Sequence, residues 1–176
     1  MPTVITTDRI ILRTWRPEDL DEMAAINDDS RVMRYFPSRR TRQETLTFLE
    51  QQNQQFAERN HAYFAAERIT DGRLLGFVGL SHQSYEAPFT PCVDIGWRLH
   101  PDAWGKGYAT EGALACLQFA REELKLKKVV AVTPHSNLPS VAVMRRIGMK
   151  EAGLFDHPGI SGESPLNPCV WWSIEW

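Results

Sequence analysis

With 176 residues, 43% of them hydrophobic and 24% charged, the chain is large enough to bury its own core but leaves no room for a second domain, so residues 1–176 read as a single domain. A formal charge of −2 and a pI near 6.2 give no global pull toward nucleic acid or an anionic membrane. No basic segment leads into an apolar run, and no stretch approaches ~18 apolar residues, so neither a signal peptide nor a membrane span is expected and the cytoplasm is the default location.

Ile10 to Thr14 reads as a first strand. Pro17-Glu18-Asp19-Leu20 opens a helix, with proline in its first turn and acidic residues near its positive end. Leu20, Met23, Ala24 and Asn27 then follow helical spacing, Asn27 being the polar exception. Thr41-Arg42-Gln43-Glu44 matches a capping box for a second helix that carries Leu46, Leu49 and Phe56 and ends near Asn60. The period then changes: Tyr63 to Ile69 and Leu74 to Ser81 flank Thr70-Asp71-Gly72-Arg73 as a hairpin.

Val93 to Leu99 is a further central strand, and Ala109, Gly112, Ala113, Cys116, Leu117, Ala120 and Leu124 recur at helical spacing after it. Val129 to Val132 is another strand, and Pro139 to Ile147 suits a short helix stopped by Gly148. Met149 to Phe155 and Val170 to Ile174 form a closing pair of strands. Between them, Asp156 to Pro168 holds three prolines and two glycines, so it is either a binding loop or an exposed connection. The order of elements gives a mixed α/β domain.

Between the central strand and the long helix stands Trp104-Gly105-Lys106-Gly107-Tyr108-Ala109-Thr110-Glu111. The first turn of a helix has backbone N–H groups without internal partners at the positive end of the dipole, and glycines let the chain approach an anion closely. The stretch therefore reads as a phosphate cradle. Upstream lies Val93-Asp94-Ile95-Gly96-Trp97-Arg98-Leu99; downstream lie Asn137-x-x-Ser140 and Arg146-Ile147-Gly148-Met149. In this order and spacing the motifs resemble the GNAT acyl-CoA-dependent N-acetyltransferases, most closely the RimJ/RimL-like branch, and the resemblance covers nearly the whole chain. The family motif Gln/Arg-x-x-Gly-x-Gly/Ala maps onto Trp104, Gly107 and Ala109. Trp104 departs from it, and a Trp-Gly pair at that point is common in the branch.

The resemblance implies a mostly antiparallel central sheet splayed around acetyl-CoA and flanked by helices. It implies cofactor contacts from Leu99, Trp104, Gly105, Lys106, Gly107, Tyr108, Ala109 and Thr110, with the pantetheine arm along Val93 to Leu99. It also implies that Asn137 hydrogen-bonds that arm and that Ser140 lies near the sulfur. The expected reaction is direct acetyl transfer to a primary amine, on a protein N-terminus or a small molecule.

Asp94 is the first candidate for general base. Alternation puts it on the face opposite Val93, Ile95 and Trp97, although a solvated or ion-paired carboxylate fits the same pattern. His82, just beyond a strand, is the second candidate, with a plain surface histidine as its alternative. Many family members protonate the leaving thiolate with a tyrosine, but no tyrosine follows Tyr108, so Ser140 becomes the candidate acid. Asn137 and Ser140 flank Pro139 at a helix mouth, where capping is the competing role for both. Gly96 lets a ligand or another chain approach its strand, or else marks a bulge. Phe155-Asp156-His157-Pro158 suits acceptor recognition or a turn.

Cys92, Cys116 and Cys169 are scattered and odd in number, and no Cys or His spacing suits zinc, so neither a disulfide framework nor a metal is predicted. Cys92 as a covalent nucleophile lacks a recognisable activating arrangement. Arg31, Arg34, Arg39, Arg40 and Arg42, interleaved with Tyr35 and Phe36, form the one basic concentration with aromatics. It reads as a solvated helix edge or an acidic-substrate site ahead of a nucleic-acid surface. The tryptophan-rich last strand offers an edge for homodimer formation. Two other functions use the same glycines: a non-catalytic acyl-CoA sensor, and a nucleotide-dependent enzyme, for which the Walker and dinucleotide glycine patterns fit worse.

Overall fold

The computed structural model describes residues 2–176, arranged as one eight-stranded sheet with four α-helices. In chain order these are β1 (Thr3–Thr6), β2 (Ile10–Arg13), α1 (Asp19–Asp28), α2 (Arg42–Arg59), β3 (Tyr63–Arg68), β4 (Leu74–Gln83), β5 (Cys92–Leu99), α3 (Tyr108–Glu122), β6 (Lys128–Pro134), α4 (Leu138–Arg146), β7 (Lys150–Phe155) and β8 (Cys169–Glu175). The spatial order is β1-β2-β3-β4-β5-β6-β8-β7, and every neighbouring pair is antiparallel except β5 and β6. That parallel pair meets at a single position, Asp94 opposite Val130. Beyond it toward the C-terminal ends the ladder is not continued, and the sheet divides into two antiparallel halves.

Two cores flank this sheet. Ile10, Leu12, Phe64, Val78, Leu80 and Ile95 face α3, while Trp15, Met23, Ile26, Phe48, Leu49 and Phe77 fill the space under α1 and α2. Covered on both faces, β4 is buried from Leu74 to Ser81, which explains why it reads as a continuous apolar run. The α1–α2 layer is tied to the sheet by Arg13, whose guanidinium forks onto Asp19 at 2.7 and 2.8 Å and also donates to Glu67 at 2.7 Å.

The predicted capping box opens α2: Thr41 Oγ1 accepts from the Glu44 amide and the Glu44 carboxylate accepts from the Thr41 amide. Asn27, the polar exception on α1, is fully buried, donating to Thr45 Oγ1 at 3.0 Å and accepting from Arg98. Three expectations need correction. A short strand, β1, precedes the one read as first, because Thr3–Thr6 pairs with β2 across a turn held by Thr7. Pro17 lies just before α1 rather than inside its first turn. The last strand, β8, is not an edge: it is flanked by β6 and β7, so Trp171 and Trp172 offer no free ladder and the open edges belong to β1 and β7. Among the described residues, no helix is long and apolar enough to cross a membrane.

Candidate active site

Asp94 lies where β5 and β6 part, and its side chain is 8% exposed. The register Gly79↔Gly96 and Ser81↔Asp94, with Tyr63 opposite Gly79, puts Tyr63, Ser81, Asp94 and Gly96 on one face. Tyr63 Oη donates to Asp94 Oδ1 at 2.7 Å, and Gln83 Nε2 donates to Tyr63 Oη at 3.3 Å. Burial pushes the Asp94 carboxyl up to about 6, opposed by hydrogen bonds from Tyr63 and Gln83 and from the Ser81 backbone. Among the described residues no cation pairs with it. At neutral pH the carboxylate is mostly ionised yet basic enough to accept a proton.

Gly96 serves this arrangement in a way not anticipated. A Cβ there would sit 3.0 Å from the Tyr63 ring, so the missing side chain makes room for the protein's own tyrosine rather than for a ligand. Tyr63 is held by Phe77, stacked at 4.9 Å, and by Phe48 at 6.4 Å. His82 pairs with Val93 and so falls on the opposite face from Asp94, which removes the direct support for it as base. Burial and the Asp94 charge push the Cys92 thiol up to about 11, the reverse of what a nucleophile needs.

The glycine loop follows a short 3₁₀ turn, Pro101–Ala103. Gly105 and Gly107 both take left-handed conformations, with φ of 70° and 83°. Gly107 caps α3 with no side chain, so the first-turn N–H groups of Tyr108, Ala109 and Thr110 have no capping partner. A Cβ on Gly105 would meet nothing within 4 Å, leaving the approach open. These features fit a pyrophosphate. Trp104, Gly105, Lys106 and Gly107 are exposed, whereas the Tyr108 ring turns into the core and Leu99 is buried with its carbonyl taken by Trp104 Nε1 at 2.9 Å. Of that set, Tyr108 and Leu99 therefore have no free side chain to offer a ligand.

What braces the loop lies far from it in the chain. Arg9, in the β1–β2 turn, donates through Nη1 to the Lys106 carbonyl at 2.8 Å and through Nε to Glu111 Oε2 at 2.6 Å, while its guanidinium covers the Tyr108 ring. Thr7 Oγ1 donates to Glu111 Oε1 at 2.6 Å. The signal is non-local, because it joins residues about a hundred positions apart.

Across the split, Asn137 caps α4. Its Oδ1 accepts from the Ser140 amide at 3.4 Å, and its Nδ2 donates to Thr133 Oγ1 at 2.8 Å and to Ser140 Oγ at 3.1 Å. Both amide donors are spent, so capping accounts for Asn137. Ser140 Oγ accepts one bond, which leaves its own O–H free to donate. At the N-terminal end of β5, the connection 84–91 meets the one after β7: Tyr85 packs on His157 at 4.5 Å, and Phe89 packs on Phe155 at 5.0 Å and Trp171 at 4.8 Å. His157 Nδ1 accepts from the Gly159 amide at 3.0 Å, so the turn reading of that segment holds while its ring also helps wall the cleft.

The central sheet thus divides at a buried acid, and an uncapped glycine-rich helix start follows the same strand. Residues 9–150 match the family model described as the acetyltransferase (GNAT) domain. The chain is 30% identical over 152 residues, 86% of its length and 85% of the relative's, to the uncharacterized N-acetyltransferase YnaD of Bacillus subtilis. Its structure is similar to a GNAT-family acetyltransferase from Bacillus anthracis, with a TM-score of 0.77, 26% identity and 97% of both chains covered. It also shares its fold with RimL, an acetyltransferase of the N-terminus of ribosomal L7/L12 solved with coenzyme A, at a TM-score of 0.80 and 12% identity over 99% of this chain and 98% of that one. The protein belongs to the GNAT acetyltransferase family and is an enzyme of that class.

Proposed function

We propose that the protein transfers the acetyl group of acetyl-CoA directly to a primary amine, on a protein N-terminus or a small molecule. The observation that carries this reading is Asp94: a buried carboxylate with no cationic partner among the described residues, raised to about 6, at the point where the sheet opens. A sensor that only bound acyl-CoA would gain nothing from that costly group. The uncapped N–H groups of Tyr108, Ala109 and Thr110 would hold the pyrophosphate, with Gly105 and Gly107 giving close access.

Bound acetyl-CoA supplies an activated thioester carbonyl and a thiolate leaving group. Asp94 Oδ accepts the proton of the acceptor ammonium, directly or through water, and Tyr63 Oη holds the carboxylate in position. The free O–H of Ser140 is the proton donor toward the thiolate. The three cysteines stand as free thiols, which suits the reducing cytoplasm.

The first test is calorimetric titration with acetyl-CoA, using ATP and NAD as controls, followed by thiol-release assays with amines and N-terminal peptides. Selective micromolar acetyl-CoA binding and amine-dependent CoA release are expected. ATP or NAD binding in place of acetyl-CoA would overturn the reading.

A further inference from the structure

Four residues beyond Asp94 on the same face of β5 sits a second buried charge. Arg98 is 7% exposed, and among the described residues no carboxylate pairs with it. Its Nη1 donates to the neutral Asn27 Oδ1 at 2.7 Å, its Nε has no partner, and its guanidinium lies between Phe36, at 4.1 Å from the ring centre, and Phe77, at 5.4 Å. Burial, and then the like charge of Arg40, pull its pKa down. Guanidinium nonetheless stays protonated at neutral pH.

Arg40 has no ion pair either; its guanidinium covers Phe48 at 5.7 Å. In the same segment Arg31, Arg39 and Arg42 are each neutralised, by Asp29, Asp28 and Asp21. Arg34, exposed over Tyr35, also has no ion pair among the described residues, so Arg40 is the unpaired cation of this segment that lines a groove.

Arg40 and Phe36 line a groove of about 520 Å³ with Met33, Phe48 and Gln51, and Gly159 of the long β7–β8 loop closes its far side. Phe48, its floor, stacks on Tyr63, the donor to Asp94, and the loop that supplies Gly159 also supplies His157 beside Tyr85. The floor of the groove is therefore in ring contact with the tyrosine that holds Asp94. Glu44 is the carboxylate of its lining, and it is committed to the Thr41 amide and hydroxyl at the start of α2.

We propose that this groove receives an anionic part of the acceptor, with Arg40 at its wall as the charge that meets it and Arg98, buried behind Phe36, adding positive potential from beneath. Four residues along a strand span roughly 13 Å, which sets the scale of separation between Asp94 and the Phe36 wall that Arg98 backs, and so between the reacting amine and an anion in the groove. The N-terminal three or four residues of an acidic peptide reach that far; a free amino acid does not. The proposal rests on the acetyl-transfer reading given above for the same site.

The test is a pair of fluorescent peptides of equal length with free N-termini, one with Glu and one with Gln at positions two to four, titrated by polarisation against protein saturated with CoA. The acidic peptide is expected to bind roughly tenfold tighter at low salt, as one charge-assisted contact supplies, and the difference should shrink as salt screens it. Arg40→Gln should erase the discrimination, and Arg40→Glu should reverse it toward a matched Lys peptide. Arg98→Met removes a buried charge but leaves the buried Asn27 Oδ1 without its donor, so it should weaken acidic-peptide binding, with urea unfolding confirming that the variant is folded. Equal binding of the two peptides, binding of neither, or a preference that survives Arg40→Gln would overturn the proposal. CoA affinity is measured separately on the wild-type protein, so failure of the acetyl-transfer reading would appear there and not in the peptide comparison.

Discussion

Replacing Asp94 by Asn separates the charge of this residue from its shape. Asparagine can still accept the Tyr63 hydroxyl bond, so the change removes the ionisation and little else. Burial moves the carboxyl from 3.8 to about 6. At about 1.4 kcal/mol per unit, ionising it in the folded protein costs roughly 3 kcal/mol relative to the unfolded chain. Because the folded pKa is the higher one, the stability this group contributes is complete below about pH 4 and lost as pH rises through about 6. Cys92, pushed up to about 11, and Tyr85, pushed higher by burial, do not titrate in that window. Urea unfolding of both proteins from pH 4.5 to 7.5 should show a stability difference that grows by roughly 2 kcal/mol in favour of Asp94→Asn, the rest of the change lying below pH 4.5 and other groups cancelling between the two. The same variant should lose about 10²- to 10⁴-fold in kcat/KM, along with the acid limb of its pH profile. A stability difference flat with pH would refute the desolvated carboxylate, and unchanged turnover would remove Asp94 as base.

Tyr63→Phe keeps the ring stack on Phe77 but deletes a hydrogen bond that lowers the Asp94 pKa, so the acid limb of kcat/KM should move to higher pH; a limb that stays in place would uncouple the two residues. Gly107→Val forces a branched side chain to φ 83° and places its Cβ 3.3 Å from Arg9 Nη2, so calorimetry should show loss of CoA binding and urea unfolding a loss of about 1–2 kcal/mol. Unaltered affinity in the folded variant would remove the cradle. Ser140→Ala leaves the Asn137 cap on the residue 140 amide in place, so kcat should fall by about 10²-fold with little change in unfolding. An unchanged kcat would leave Ser140 a positional role only.

Local patterns were legible wherever one element explains itself. The α2 capping box, the left-handed Gly107 at the start of α3, the Gly148 stop and the alternation of β5 could all be read from adjacent residues, and each has the predicted local geometry. What escaped the reading depends on register between strands. Tyr63 reaches Asp94 because β3, β4 and β5 align Tyr63, Gly79 and Gly96, and no single strand carries that information. The Arg9–Glu111 clasp and the burial of Arg98 behind Phe36 arise in the same way, from segments the fold brings together. β8 was misplaced at an edge because sequence order suggested that the last strand is outermost, whereas β7 crosses to the outside.

The face of β5 toward α1 and α2 explains why two such costly groups persist side by side. Alternation puts Asp94 and Arg98 on one side of the strand, and a direct ion pair would relieve both. Gly96 stands between them, and the Tyr63 ring fills the space above it, stacked on the Phe77 ring that Arg98 also covers. Aromatic rings thus hold the acid and the cation apart, so the carboxylate stays basic and the guanidinium keeps its charge uncompensated. Gly96→Ala would press on this partition, since the added Cβ lies 3.0 Å from the Tyr63 ring. Displacing that ring would disturb the hydrogen bond that tunes Asp94 and the stack beneath Arg98 together, so one methyl group should perturb both the pH profile and acidic-acceptor binding.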